Sequence, residues 1–136
     1  MLRLLCIFIL SCFFLVLSGQ KVVIVTSDQS LTSISKSEVR DLYKGNIFEL
    51  KGNPASFLDH QRTLQVYKDF IDQFFGMTPD EMNDYWTQEK LQSGKRPPKF
   101  LPDSFLPKAL LSIKGSISYY YEGQVPSGLI VVKLTN

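Results

Sequence analysis

Lys21-Val22-Val23-Ile24-Val25-Thr26 decides the fold class. Four β-branched aliphatic residues in a row, without polar alternation, form a strand buried on both faces, and such strands belong to sheets covered by helices on both sides. A polar loop, residues 27–33, follows. Ser35 with Glu38 three residues later makes a capping box, and Ile34 with Val39 makes the matching hydrophobic staple, so a helix is predicted over Lys36 to Lys44. Val39, Leu42 and Tyr43 give it one apolar stripe, and Gly45 stands where a left-handed residue closes a helix.

The same start signal recurs at Thr78-Pro79-Asp80-Glu81. Thr78 caps, Pro79 takes the first helical position, Glu81 completes the box and Met77 staples to Met82 in a helix running to about Gln92. Leu64, Tyr67, Phe70, Ile71, Phe74 and Phe75 recur at helical spacing, which predicts a core helix from Arg62 to Phe75, ended by Gly76. Short strands are predicted at Phe48–Leu50 and Ala55–Leu58 around the turn Lys51-Gly52-Asn53-Pro54. The prolines of Lys95-Arg96-Pro97-Pro98-Lys99 hold that stretch extended. A short helix over Phe105–Lys114 and strands over Ser116–Tyr121 and Leu129–Leu134 complete the chain. Strands alternating with helices predict an α/β fold with a mixed, mostly parallel sheet flanked by helices. Val22, Ile24, Leu42, Phe70, Phe74, Tyr85, Trp86, Ile117 and Val131 are the expected core.

Ahead of this lies Leu4 to Leu17, an uncharged hydrophobic run behind Arg3 and before the small residues Ser18 and Gly19. It is shorter than the ~20 residues that span a bilayer. Residues 1–19 are therefore expected to be a secretory signal peptide, with an uncleaved anchor as the competing reading, and residues 20–136 a single domain in the periplasm or outside the cell. Gln20 stands where a lipoprotein needs cysteine. Both cysteines, Cys6 and Cys12, fall within the leader, so the remaining chain has no disulfide, thiolate nucleophile or cysteine metal site. Stable membrane insertion after cleavage is not expected.

The whole chain of 136 residues has 15 basic and 13 acidic groups, a formal net charge of +2. No block of five like charges appears, so nucleic-acid binding is not expected. One histidine, His60, excludes a two-histidine metal site, and its neighbour Asp59 points to the opposite face of an extended segment, which argues against a catalytic pair. The chain is expected to be no enzyme and to need no metal or cofactor. Two stretches suit an anion: hydroxyl-rich Ser27, Ser30, Thr32 and Ser33 after a buried strand, and Arg62 with Thr63 at the start of the central helix. A solvated polar turn is the alternative for each. Lys90, Lys95, Arg96 and Lys99 form a loose basic group beside Phe100, either a docking patch or a solvated rim. On the strand Ser116–Tyr121, Tyr119 and Tyr121 should share one face and Tyr120 take the other.

Leu42-Tyr43-Lys44-Gly45-Asn46-Ile47, Gly76-Met77-Thr78-Pro79, Tyr85-Trp86, Gly94-Lys95-Arg96-Pro97-Pro98 and Gly115-Ser116-Ile117-Ser118-Tyr119 occur in an order that resembles the phosphate-binding periplasmic proteins of ABC transporters. The resemblance implies one lobe of a type II periplasmic-binding-protein fold. It places the family's phosphate loop at Asp59-His60-Gln61-Arg62-Thr63-Leu64, without that loop's Ser-Gly-Thr. The implied function is an exported binding module that holds a small oxyanion such as phosphate weakly, between the two hydroxyl-bearing stretches. The alternative is a structural or regulatory interaction domain that keeps the fold without the ligand. The implied partners are the oxyanion or an envelope protein, with a homo-oligomer also open.

Overall fold

The computed structural model describes residues 20–136, so the leader expected at residues 1–19 lies outside the described residues. Six strands form the main sheet: β1 (Val22–Thr26), β2 (Ser33–Ser35), β5 (Ser56–Asp59), β6 (Lys99–Phe100), β7 (Ser116–Tyr121) and β8 (Ile130–Thr135), in the order β2-β8-β1-β7-β5-β6. Glu49–Leu50 (β3) and Asn53–Pro54 (β4) make a separate two-stranded ribbon. The α-helices among the described residues are α1 (Lys36–Tyr43), α2 (Gln65–Phe75), α3 (Pro79–Gln92) and α4 (Leu106–Ser112). The pairs β2·β8, β5·β7 and β5·β6 are parallel, while β1 is antiparallel to both neighbours. The sheet is mixed and mostly parallel, as expected.

All five β-branched side chains of β1 are buried, with Val22 and Ile24 in one core and Val23 and Val25 in the other. The first core is the larger. It is roofed by Val39 and Leu42 of α1, Tyr67, Phe70, Ile71 and Phe74 of α2, and Met82 and Trp86 of α3. The second is covered by Leu106 and Leu110 of α4. Tyr119 and Tyr121 face the first core and Tyr120 the second, as the two-residue period requires.

Both helix-start signals form, one in full and one in part. Ser35 accepts from the Glu38 amide at 3.0 Å while Glu38 accepts from the Ser35 amide at 3.0 Å. Thr78 accepts from the Glu81 amide at 3.2 Å, but the Glu81 carboxylate takes the Thr78 hydroxyl rather than its amide, so only half of that box closes.

Two expected core residues are corrected. Val131 is 50 % exposed because its face of β8, shared with Lys133 and Thr135, has no helix over it. Tyr85 is half-buried at the edge of the first core, under the Lys44 ammonium 4.8 Å from its ring centre. The expected hairpin also divides differently: Glu49–Leu50 pairs with Asn53–Pro54, which frees Ser56–Asp59 to join the main sheet beside β7. Two short strands, β2 and β6, are additions to the sequence reading.

Candidate functional site

The strand directions decide which predicted residues meet. Thr26 lies opposite Ile117, and β5 runs parallel to β7 from Ser56 beside Ser116. The loop after β1 is thus at one end of the sheet, whereas the segment after Asp59 leaves from the other. The structure does not bring Ser27, Ser30, Thr32 and Ser33 together with Arg62 and Thr63.

At the first end the hydroxyls have local partners. Ser27 donates to the Leu110 carbonyl at 2.6 Å, and Ser30 donates its hydroxyl and its amide to the Asp28 carboxylate at 2.7 and 3.0 Å. Those bonds hold Asp28 below the usual carboxylate range. Lys51 donates to the Ser33 hydroxyl at 2.9 Å, and Thr32 is exposed, its carbonyl accepting from the Lys133 amide at 3.0 Å. Strand β2 stands between this loop and α1, whose first turn the capping box already satisfies.

The second end is built on a buried polar core. Asp59 is 2 % exposed and accepts from the Tyr43 hydroxyl at 2.8 Å, from the His60 amide at 2.8 Å and from the Tyr119 hydroxyl. Burial raises its pKa, and the three donors oppose that rise. Burial, then the Asp59 charge, pushes the Tyr43 and Tyr119 phenols well above their ordinary value. His60, also 2 % exposed, has Nε2 at 2.6 Å from the Tyr119 carbonyl. A carbonyl only accepts, so Nε2 carries a proton. Nδ1 lies 3.3 Å from the Asp103 carboxylate. Tyr119 therefore holds Asp59 through its hydroxyl and His60 through its carbonyl. Asp59 and His60 turn to different partners, Asp59 to the Tyr43 and Tyr119 hydroxyls and His60 to the Tyr119 carbonyl and Asp103.

Arg62 and Thr63 sit in the turn that follows. Helix α2 begins at Gln65, three residues later than the periodicity suggested, because Leu64 is its N-cap. Leu64 offers no side-chain acceptor, so the first-turn amides of α2 have none from the cap residue. Arg62 is steadied by α3, donating to the Asn83 side-chain carbonyl at 2.9 Å, and Thr63 is exposed. On one side of this helix start is a cavity of about 370 Å³ lined by Leu64, Gln65 and Val66 with His60, Asp103 and Tyr120. Burial, followed by the Asp103 charge, pushes the Tyr120 phenol up to about 12, and its oxygen has no partner among the described residues. On the other side is a cleft of about 550 Å³ lined by Arg62, Lys90, Arg96, Pro97, Pro98, Lys99 and Phe100. The structure thus joins Arg62 to the basic group Lys90, Arg96 and Lys99, while Lys95 turns away to donate to Asn46 at 2.6 Å. Among the described residues no set of three histidine, cysteine or carboxylate groups is placed to hold a metal.

The Asp59 network and Asp103 were not found by sequence reasoning. Tyr43, Asp59 and Tyr119 are far apart in sequence; the pairing of β5 with β7 sets Asp59 beside Tyr119, and the packing of α1 on β5 adds Tyr43. The basic cleft was half visible, as a cation group without its Arg62 member.

No protein-family model matches the sequence, and neither does any curated protein. Solved structures do match in fold. A structure described as a phosphate ABC transporter substrate-binding protein from Clostridium perfringens, with bound phosphate, aligns at a TM-score of 0.64 and 12% identity over 85% of this chain and 45% of its own. An ABC-type phosphate transport receptor from Vibrio cholerae aligns at 0.53 and 11% identity over 85% of this chain and 46% of its own. A structure from Planctomyces limnophilus described as a possible phosphate binding protein gives 0.58 and 12%, over 86% of this chain and 42% of its own. The fold of the described chain is the one these phosphate-binding proteins share, and the chain spans less than half the length of each. Among the described residues no helix is long and apolar enough to cross a membrane.

Proposed function

We propose that this chain is an exported, non-enzymatic binding module that holds a small oxyanion such as phosphate, weakly, at Arg62, Thr63 and the open start of α2. The observation that carries the reading is the uncapped first turn of α2 directly behind Arg62 and Thr63. Amides of a first turn and an arginine fork are the donors an oxyanion needs, and the helix dipole favours negative charge there. The shared fold with structures described as phosphate-binding supports it. Weakness is expected of these residues by themselves, because they meet the anion from one side and leave the other to water. Ser27, Ser30, Thr32 and Ser33 take no part at this end, since their loop belongs to the opposite end of the sheet.

Titration calorimetry of the protein with phosphate and with sulfate tests it. Binding with a dissociation constant on the order of 1 mM, lost in Arg62→Ala, is expected. No heat at several millimolar of either anion, or unchanged binding in Arg62→Ala, overturns the site. Export is tested separately, by the intact mass of protein recovered from the periplasm or medium: Met1 still attached argues against a cleaved leader.

A further inference from the structure

We propose that the cleft between α3 and the edge strand β6 is a docking groove for an acidic, extended segment of a partner protein. The argument starts from the backbone. Strand β6 is the last of the sheet, paired on one side only, in parallel with β5. Asp59 lies opposite Phe100, and the Leu101 amide donates to the Asp59 carbonyl at 3.0 Å. With the two-residue alternation of a strand, the amide and carbonyl of Phe100 then face away from β5, to the open edge. An unpaired donor and acceptor on a sheet edge are the template on which an extended peptide adds as a further strand. Pro97 and Pro98 lead into this edge. They hold the chain extended and donate no hydrogen bond of their own.

The side chains specify the occupant's chemistry. Arg62, Lys90, Arg96 and Lys99 converge on the cleft, and none lies within ion-pair distance of a carboxylate among the described residues. Arg62 spends one donor on the neutral Asn83 amide, which orients it without neutralising it. Four uncompensated cations on one concavity raise the local concentration of negative charge and suit glutamate or aspartate side chains. Between them Phe100 is 56 % exposed beside the two prolines, an apolar platform for every second side chain of a strand. A segment alternating acidic and apolar residues answers all three features: the backbone edge, the cations and the platform. A lipid headgroup or a free oxyanion answers only the cations. This site goes beyond the oxyanion reading and stands if that reading fails: the two share Arg62, but the edge strand β6 with Lys90, Arg96, Lys99 and Phe100 does not depend on the start of α2.

The test is fluorescence anisotropy of a labelled peptide of about eight residues, alternating glutamate and valine, a length typical of a strand. The full protein should bind it, and raising the salt about tenfold should weaken binding. The double variant Arg96→Glu with Lys99→Glu should weaken it by tenfold or more, and Phe100→Ala should weaken it by a smaller factor. These side chains are exposed, so Trp86 emission should stay that of the folded protein in each variant. Lys90→Glu, across the cleft on α3, repeats the charge test without touching the edge strand. The same peptide with every backbone nitrogen methylated should fail to bind, because it then has no amide to donate to the edge from either side. Equal binding of the methylated peptide, binding unchanged in both charge variants, or vesicles of anionic lipid captured through the same residues while the peptide is not, each overturns the proposal.

Discussion

Replacing Tyr119 with phenylalanine removes one oxygen and leaves the packing in place, because the ring is stacked on Phe70 with centroids 3.9 Å apart and planes at 3°. What is lost is a charge-assisted hydrogen bond to a carboxylate that is itself 2 % exposed. Bonds to charged groups contribute about 1.5–3 kcal/mol, and nothing solvates Asp59 in compensation, so Tyr119→Phe should cost about 2 kcal/mol at neutral pH. A domain of this kind has about 5–15 kcal/mol to lose, so the variant should still fold and the cost should be measurable. Tyr43→Phe removes the second phenol, 2.8 Å from the other carboxylate oxygen, and should cost a similar amount. The double variant leaves Asp59 with the His60 amide alone and should lose more than the two singles together, by about 0.5–3 kcal/mol.

The pH dependence gives a second reading of the same network. Burial raises the native pKa of Asp59 above its unfolded value of 3.8, so the native state binds the proton more tightly. Its contribution to stability is therefore complete below the unfolded pKa and is lost as pH rises through the native one. The deficit of Tyr119→Phe should shrink in that acidic range, because a protonated carboxyl needs fewer donors. Urea unfolding followed by Trp86, the only tryptophan and 4 % exposed, is the assay. A deficit under about 0.5 kcal/mol at neutral pH, or the same deficit in acid and at neutrality, would refute the claim that a buried ionised carboxylate organises this end of the sheet.

Two further outcomes are expected. Gly115→Ala should destabilise by at least about 2 kcal/mol in the same assay, since φ there is +78° and the added Cβ would stand 2.2 Å from the Pro54 carbonyl oxygen. Alkaline titration should lower stability as pH rises beyond about 10, because unfolded tyrosines release protons there while burial holds Tyr43 and Tyr119 protonated in the fold; a flat stability curve through that range would count against their burial.

The sequence showed those parts of the fold that neighbouring residues determine together. Continuous β-branching marked β1, and the Ser35–Glu38 and Thr78–Glu81 spacings placed two helix starts at the residues where they form. Strands β2 and β6 carry no such signal. Three and two residues long, they are strands only because β8 and β5 lie beside them. The hairpin read around Lys51–Pro54 went to the nearer partner in sequence, whereas Ser56–Asp59 gains more by joining β7 and burying Phe57 and Leu58. The start of α2 was misplaced because apolar spacing reports which face is buried, not where the first turn closes.

The two anion stretches fail to meet for a related reason. Sequence reasoning gave each a place relative to its own strand, after β1 or after β5, but not the relative direction of those strands. β1 is antiparallel to β7 and β5 is parallel to it, so segments that both follow a strand leave from opposite ends. The same pairing explains what was gained unforeseen. Running β5 beside β7 sets Asp59 under the Tyr119 hydroxyl and sets Lys99 and Phe100 on an open edge across from Lys90. Strand direction thus removes one candidate binding mouth and supplies another, in which Arg62 belongs with Lys90, Arg96 and Lys99 rather than with the serines of the first loop.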